Sequence, residues 1–435
     1  RFPVTNYVPT ELIPHGILRV PDLTDALLQS VHYTRNTMQS IRISTNRIAF
    51  AASALVLGAA IAAPASAATL SVGAGKTYAT PCKAFAAAKA GDTIDIQAGT
   101  YSGDVCAISA SKLTIRGVNG RPHIKAGGKH SGGKAIWVVR GNDITIDNVE
   151  MSGAAVPDKN GAALRLEGTN FTLRRSFLHD NENGVLSGVN EASTVTMEYN
   201  EFGRNGRGDG YTHNVYIGKV AKLYFRYNFS HDANVGHNLK TRGLYNMIAY
   251  NRFSSLRSGE TGSTAAGKPS YEVNVPNGGT TYLIGNVIQQ PASNNNPAMV
   301  SYGEEGVGTR KTDLYVINNT FVNDESSRGT FVTIRNATTP AKLINNIFAG
   351  GGTVTAQATA IQKTNYRSVA GNFVNKATYD LRPASNAQIV NAGSNPGNSA
   401  GGLALKPTAS YKHTATYSSR STKGGMIDIG AYEIQ

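Results

Sequence analysis

Three strand-like segments carry the side chains that could perform chemistry in this chain. They read HNVYI at residues 213–217, HNLKTR at 237–242 and YEVNV at 271–275. Because the side chains of a β-strand alternate between its two faces, the apolar residues of these segments should face a core. The residues predicted to point inward are Val215, Ile217, Leu239, Val273 and Val275.

The polar residues of the same segments are predicted to face outward from neighbouring strands. They are Asn214, Tyr216, Asn238, Lys240, Arg242, Glu272 and Asn274. Arg165 and Glu167 would extend this face toward the N-terminus. We interpret the face as a candidate site, and the alternative is a solvated sheet face. The predicted substrate-binding residues are Asn214, Asn238, Arg165, Glu167 and Asn274.

Such a set of groups suits β-elimination from a sugar whose carboxylate lies beside the carbon that loses its proton. Neutralisation of that carboxylate by Arg, Lys or a metal ion lets the developing negative charge spread onto it. Lys240 is the predicted base, and a neighbouring Arg242 and a partly dry groove would favour its neutral form. Tyr216, His213 or His237 could instead remove the proton or return one to the leaving oxygen.

The elements that must hold these residues repeat along the chain. An asparagine closely followed by an apolar residue recurs in short β-rich runs, at Asn200, Asn228, Asn251, Asn286, Asn319, Asn346 and Asn372. Their spacing, roughly 25 residues with insertions, is typical of a parallel β-solenoid with about three strands in each coil. Asparagine tolerates the left-handed turn conformation, and its amide can bond the same residue one coil above. We therefore interpret these asparagines as a structural ladder.

Two stretches outside the repeats resemble secreted, right-handed parallel β-helix proteins of the pectate-lyase-like superfamily. Residues 91–101 (GDTIDIQAGTY) and 113–117 (LTIRG) resemble their opening, and 428–433 (DIGAYE) resembles their ending. The resemblance covers roughly residues 69–435 and implies an all-β fold, a single right-handed parallel β-helix. A short helix at residues 83–90 is predicted ahead of the repeats, as an N-terminal cap.

Residues 237–242, followed by Asn246 and by 251–253, are similar to the catalytic-lysine region of the polysaccharide lyase 6 family of alginate and chondroitin lyases. In that family a lysine is the base and an arginine from the next coil is the acid. Lys240 matches the lysine, and Arg242 is the candidate acid.

The same family holds calcium with acidic residues just before the lysine. Here Ala233 and Val235 stand about where those ligands would be, and Glu272 and Asn274 stand where the arginine of the next coil is expected. Glu272 and Asn274 are the candidate ligands for a Ca²⁺ cofactor.

The charge of the chain favours an anionic partner. The net charge is +14, or +12 for residues 68–435, with the lysines and arginines spread along the chain. Nucleic acid, an anionic membrane surface or an acidic polysaccharide would each suit such a surplus. We expect an acidic polysaccharide, no nucleic acid, no membrane span and a monomer. The two cysteines, Cys82 and Cys106, predict one disulfide.

An apolar run at residues 48–63 follows two arginines and precedes a proline and the small residues ASA. This is the three-part pattern of a secretory signal, and it is too short for a membrane span. A buried core helix is the alternative. Met38 is the natural initiator of such a signal. We predict upstream translated sequence at 1–37, a signal peptide at 38–67, one β-helix domain at 68–435, and a secreted or periplasmic location.

One recurrence lies outside the candidate site. His179-Asp180 and His231-Asp232 follow their repeat phrases at the same offset. We interpret this recurrence as turn structure rather than catalysis.

Together these observations predict an exported polysaccharide lyase that cleaves an acidic, uronate-containing polysaccharide by β-elimination. A glycoside hydrolase or epimerase acting on a similar substrate is one alternative. The other is a non-catalytic adhesin or polysaccharide-binding β-helix, which would need positive charge along its groove but no single base such as Lys240.

Overall fold

The computed structural model describes residues 67–255, 267–292, 294–325 and 328–434. These residues belong to one compact unit. The upstream segment 1–37 and residues 38–66 of the signal peptide lie outside the described residues, so both stay predictions. In the described part of the chain, no helix is long and apolar enough to cross a membrane.

Short strands from successive coils stack into three parallel sheets, which we name A, B and C. Within the described residues, sheet A has 12 strands, sheet B has 11 and sheet C has 9. The strands of sheet A are Thr69–Val72, Thr93–Gln97, Thr114–Val118, Ile144–Asp147, Phe171–Arg174, Asn190–Glu198, Val220–Arg226, Tyr245–Ala249, Thr280–Ile284, Leu314–Ile317, Lys342–Ile344 and Ile361–Lys363. Those of sheet B are Thr100–Ser102, His123–Lys125, Glu150–Ser152, Phe177–His179, Glu201–Gly203, Phe229–His231, Arg252–Ser254, Val287–Gln290, Thr320–Asn323, Ile347–Gly350 and Tyr366–Ser368. Those of sheet C are Cys106–Ile108, Ala135–Val139, Ala162–Leu166, Asn183–Ser187, Val215–Ile217, His237–Thr241, Tyr271–Val275, Ala298–Tyr302 and Thr330–Ile334.

The chain visits the three sheets in turn and adds each strand beside the corresponding strand of the previous coil. Parallel strands joined in this way within one sheet are almost always connected with a right-handed crossover. The protein is therefore a right-handed parallel β-helix, as the repeat spacing and the family resemblance together predict.

Apolar side chains fill the space between the sheets in columns that cross the coils. One column of sheet A, in register from coil to coil, is Ile94, Ile115, Ile146, Leu173, Met197, Phe225, Ile248, Leu283, Val316 and Leu343. All of these side chains are fully buried. The inward orientation predicted for the apolar residues of sheet C is confirmed, because Val215, Ile217, Leu239, Val273 and Val275 are fully buried too.

The predicted asparagine ladder runs along the corner between sheets A and B. The amide of Asn200 donates to Asn228 Oδ1 over 3.1 Å, and the same bond repeats through Asn251, Asn286, Asn319, Asn346 and Asn365. The seventh rung is Asn365, so the prediction of Asn372 was wrong, because its amide donates instead to the hydroxyl of Tyr366. The left-handed conformation belongs to the residue before each rung, as at Tyr227, where φ is 60°.

A short helix lies at the N-terminal end of the β-helix. The predicted N-terminal helix is present at Pro81–Ala87, earlier than 83–90, because proline suits the first turn of a helix. The predicted disulfide, Cys82–Cys106, ties this helix to the first strand of sheet C.

The last parallel strands end at residue 368, inside the one domain predicted for residues 68–435, which stays a prediction. The following segment contains a 3₁₀ turn, Lys376–Thr378, and two antiparallel strand pairs. The pairs are Phe373–Asn375 with Asp380–Pro383, and Ala409–Lys412 with Thr416–Ser419. Leu405 and Ala409 pack against buried tyrosines of sheet A, so this segment covers the outside of the helix.

Candidate functional site

The register of sheet C aligns the outward side chains into one column. In coil order, its central members are Arg165, Leu186, Tyr216, Lys240, Asn274 and Ser301. Neighbouring members come from successive coils, which are about 4.8 Å apart. The structure therefore brings together the predicted catalytic residues Tyr216 and Lys240, with Arg242 following at the end of the same strand.

Lys240, Arg242 and Tyr216 form a cluster around the carboxylate of Glu305. Lys240 Nζ lies 3.1 Å from Glu305 Oε1, and an Arg242 terminal nitrogen lies 2.6 Å from Glu305 Oε2. Arg242 Nε donates to the Tyr216 hydroxyl over 2.8 Å. The Lys240 ammonium also lies 5.5 Å from the centre of the Tyr216 ring. Two cations thus converge on one carboxylate beside a phenol.

Further contacts fix the direction of the arginine in this cluster. Asn277 accepts a hydrogen bond from Arg242, and the main-chain oxygen of Arg242 accepts one from Arg310. Burial alone would raise the pKa of Glu305, but the bonds from Arg242 and Lys240 lower it. Glu305 is therefore an anion, and it holds the two cations in place.

His213 and His237 lie behind the cluster rather than in it. They are 2% and 6% exposed and stack with ring centres 4.5 Å apart. His213 Nδ1 accepts the main-chain N–H of His237, and its ring meets Tyr216 edge-on. Burial, with the nearby Lys240 charge, lowers the pKa of His213 to about 3, and burial also lowers that of His237. Both imidazoles are therefore neutral, and His213 packs directly against the Tyr216 ring.

The outward orientation predicted for Asn214, Asn238 and Glu272 was wrong. All three are fully buried or nearly so, in a second ladder at the corner between sheets B and C. The Asn214 amide donates to Asn238 Oδ1 over 2.8 Å, and the Asn238 amide donates to Glu272 Oε2. Asn181 and Asn205 precede them in the same ladder. Strand alternation fails here because these residues lie where the chain is still turning the corner into sheet C.

The side chains of Asn274 and Glu167 bond to residues other than Lys240 and Arg242. Asn274 is in the outward column, but it is covered, and its amide donates to Glu304. Glu167 follows the strand Ala162–Leu166 and pairs with Lys134 and Arg140. Neither side chain forms a hydrogen bond or an ion pair with Lys240 or Arg242 in the described part of the chain.

Arg165 lines an open groove of about 560 Å³ that adjoins Tyr216. Tyr211, which is 84% exposed, and Asp209 also line it. Arg165 Nε is buried and has no hydrogen-bond partner among the described residues. The groove thus continues the polar column over the earlier coils, and the Arg165 side chain forms part of its wall.

The predicted calcium ligands do not form a calcium site. Glu272 bonds to Asn238 and Asn274 bonds to Glu304, so the two share no partner. Burial raises the pKa of Glu272 to about 8, which leaves its carboxyl neutral at pH 7, whereas calcium prefers several ionised or carbonyl oxygens. Over the described ranges, one group of His, Cys, Asp or Glu side chains is close enough to hold a metal ion. It is His123, Glu150 and His179, on sheet B.

Sequence reasoning missed Glu304 and Glu305. Glu305 lies 65 residues after Lys240, in the turn that follows the strand Ala298–Tyr302. An acidic pair flanked by glycines, GEEG at residues 303–306, was the available signal.

Comparison with solved structures identifies the fold. The protein resembles the crystal structure of pectate lyase Pel9A, with a TM-score of 0.55 and 15% sequence identity over 85% of this chain and 96% of that one. The two proteins share the parallel β-helix fold. The β-helix is also similar to a PL6 alginate lyase in complex with a trisaccharide (TM-score 0.33, 15% identity, 66% of this chain and 60% of that one). A mannuronic acid specific family 6 lyase from human gut microbiota is a further similar structure (TM-score 0.34, 11% identity, 73% and 91%). No protein-family model matches the sequence of the β-helix, and no curated protein matches it.

Proposed function

We propose that this protein is an exported polysaccharide lyase that cleaves a uronate-containing polysaccharide by β-elimination. The observation that carries the proposal is the convergence of Lys240 and Arg242 on one carboxylate, that of Glu305, beside the Tyr216 hydroxyl. A uronate carboxylate has the same charge and shape as the Glu305 carboxylate. We infer that it takes the place of Glu305 when substrate binds.

In this proposal Arg242 binds the sugar carboxylate, and Lys240, as the free amine, takes the proton from the adjacent ring carbon. The electron pair left on that carbon forms a double bond to the next ring carbon while the bond from that carbon to the glycosidic oxygen breaks. Charge that develops on the carboxylate is stabilised by the Arg242 guanidinium.

Tyr216 is the acid of the proposed reaction. Its hydroxyl oxygen accepts the Arg242 Nε–H, so its own hydrogen is free to point at another oxygen. That oxygen would be the leaving glycosidic oxygen, which takes up the proton. We assign no proton transfer to His213 or His237, because both are buried behind Tyr216 and their pKa values are lowered.

The groove beside Tyr216 is the proposed binding surface for the rest of the polymer. Arg165, which lines the groove, would bind a second carboxylate two coils away from Tyr216. The exposed Tyr211 ring offers a flat apolar surface for a sugar ring. The net charge of +14 would favour the encounter with an acidic polymer.

The Cys82–Cys106 disulfide supports a place outside the cytoplasm, where disulfides persist. Calcium has no step in this proposal, because Glu272 and Asn274 do not fit that ion. Calcium dependence is tested directly by running the assay with and without added Ca²⁺.

The deciding experiment incubates the protein with alginate, pectate, glucuronan and chondroitin and follows the ultraviolet absorbance of the unsaturated uronate product. We expect Lys240→Ala to abolish the signal while the exposed Lys222→Ala, on sheet A, leaves it unchanged. New reducing ends without unsaturation would replace the proposal with a hydrolase. Tight binding of one polymer without cleavage would replace it with an adhesin.

A further inference from the structure

The outward face of sheet B carries a group of titratable side chains that the proposed lyase reaction does not use. His123, Glu150 and His179 come from three successive strands of this sheet. Glu150 Oε1 lies 3.1 Å from His123 Nδ1 and 3.1 Å from His179 Nε2. One carboxylate oxygen therefore faces a ring nitrogen of each imidazole.

The second nitrogen of each imidazole is already engaged. His179 Nδ1 lies 2.5 Å from Asp180 Oδ2, and Asp180 is held in turn by Arg204. A terminal nitrogen of Arg204 also lies 3.3 Å from His179 Nδ1. His123 Nε2 lies 2.7 Å from the hydroxyl of Ser152.

The ring centres of His123 and His179 lie 5.7 Å apart, and both rings reach the same oxygen of Glu150. This oxygen and the two ring nitrogens form one group of donors that could surround a cation.

The distances from Glu150 Oε1 to the two imidazole nitrogens suit a small tetrahedral ion. Zinc binds histidine nitrogen and carboxylate oxygen at about 2.0–2.2 Å, which puts neighbouring donors of a tetrahedron about 3.3 Å apart. The observed separations from Glu150 Oε1 are 3.1 Å. A His–carboxylate pair behind the donor, as His179 with Asp180, is the usual support of a metal-bound imidazole. The side chains of His123 and Glu150 are 20% and 27% exposed, so an ion and a water molecule can reach them.

The chain contains an incomplete copy of the same arrangement two coils further on. His231 Nε2 lies 3.2 Å from Glu201, and His231 Nδ1 lies 2.7 Å from Asp232. Glu201 thus takes the role of Glu150. In the register of sheet B, the residue one coil before Glu150 is His123. The residue one coil before Glu201 is Phe177. The copy keeps the histidine and its carboxylates but has no second imidazole at that position.

We propose that His123, Glu150 and His179 bind one divalent transition-metal ion of the zinc type, with Asp180 and Ser152 orienting the two imidazoles. Two nitrogen donors favour zinc, cobalt or nickel over calcium. The ion would join three consecutive coils of sheet B, on a different sheet from the Lys240 cluster. From the sequence, we interpret the two His-Asp pairs as turn structure. In this proposal the first pair, His179-Asp180, also takes part in metal binding.

The test is a calorimetric titration of the metal-free full chain with Zn²⁺ and, separately, with Ca²⁺. We expect one zinc site, no calcium binding at these residues, and a visible absorption spectrum of tetrahedral type when Co²⁺ is used. His123→Phe, which copies the residue of the incomplete set, should weaken zinc binding about 100-fold or more, and Asp180→Asn about 10- to 100-fold. His130→Ala, at an exposed histidine outside the group, is the matched control.

Circular dichroism of each variant separates loss of the site from loss of the fold. If His123→Phe is unfolded, the increase in melting temperature caused by Zn²⁺ is compared between the wild-type chain and His179→Gln. A larger increase for the wild-type chain supports the proposal, and equal increases overturn it. Equal zinc binding by the wild-type chain and a folded His123→Phe variant overturns the proposal, as does the absence of saturable zinc binding. Neither result depends on lyase activity, so this proposal and the proposed function can fail separately.

Discussion

Replacing the buried Glu272 with glutamine should change how the free energy of unfolding depends on pH. Burial raises the pKa of Glu272 from 4.5 to about 8 in the folded chain, although the bond from Asn238 opposes the rise. Between these two values the folded chain holds a proton that the unfolded chain has released. The free energy of unfolding therefore falls as pH rises through this interval, and the fall ends above about pH 8. At about 1.4 kcal/mol for each pH unit, the interval corresponds to about 5 kcal/mol.

Glutamine keeps the shape of the side chain and the oxygen that accepts the Asn238 amide, but it has no charge to bury. Glu272→Gln should match the wild-type chain near pH 5 and exceed its free energy of unfolding by up to about 5 kcal/mol near pH 9. Water entering the corner would reduce that difference. Urea unfolding, followed by the fluorescence of the buried Trp137, measures both proteins at each pH.

Glu191→Gln is the matched control, because the Glu191 side chain is 50% exposed and its charge is solvated in the folded chain. We expect no pH-dependent gain in this variant. Parallel pH curves for the wild-type chain and Glu272→Gln would refute the reasoning, since they would mean that the Glu272 carboxyl is ionised in the folded state at neutral pH.

Two further predictions concern the groove and the first ladder. If Glu305 occupies the place of the substrate carboxylate, Glu305→Gln should lower KM for the uronate polymer about fivefold. The reason is that its two partly exposed ion pairs contribute about 1 kcal/mol together. An unchanged KM in initial-rate measurements would contradict this prediction. Asn251→Ala should lower the free energy of unfolding by about 4 kcal/mol or more, because it leaves buried partners such as the Phe225 carbonyl unpaired. Asn365→Ala, at the half-buried end of the ladder, should cost clearly less in the same urea titration, and equal losses would count against the ladder as a stabilising element.

The fold could be predicted from the sequence because a β-helix turns long-range contacts into a repeat. Each strand pairs with the strand one coil away, so the asparagine of one coil meets the asparagine of the next, as Asn228 meets Asn251. A periodic phrase therefore reports tertiary contacts directly. The error at Asn372 arose where the period continued in the sequence after the parallel coils had ended.

The orientation of side chains at the corners of the coils could not be predicted in the same way. Strand alternation correctly placed Tyr216 and Lys240 on the outer face, because both lie well inside their strands. Asn238 and Glu272 lie at the starts of theirs, where the backbone is still turning, and their side chains point into a ladder instead. Glu305 was missed for a related reason. It lies in a turn, and a turn has no alternation of apolar and polar residues from which its position over a strand could be predicted.

The two His-Asp pairs show what a repeat offset can and cannot distinguish. His179-Asp180 and His231-Asp232 have the same offset and the same bond between the histidine and the aspartate, so the sequence alone gives them one interpretation. The difference lies two coils earlier in the register, where one set has His123 and the other has Phe177. A site that crosses three coils is therefore recognised only when residues about 50 positions apart are compared in register. In a solenoid, turn structure and ligand binding share the same repeated residues, and the coils before and after them decide which of the two roles a given copy can have.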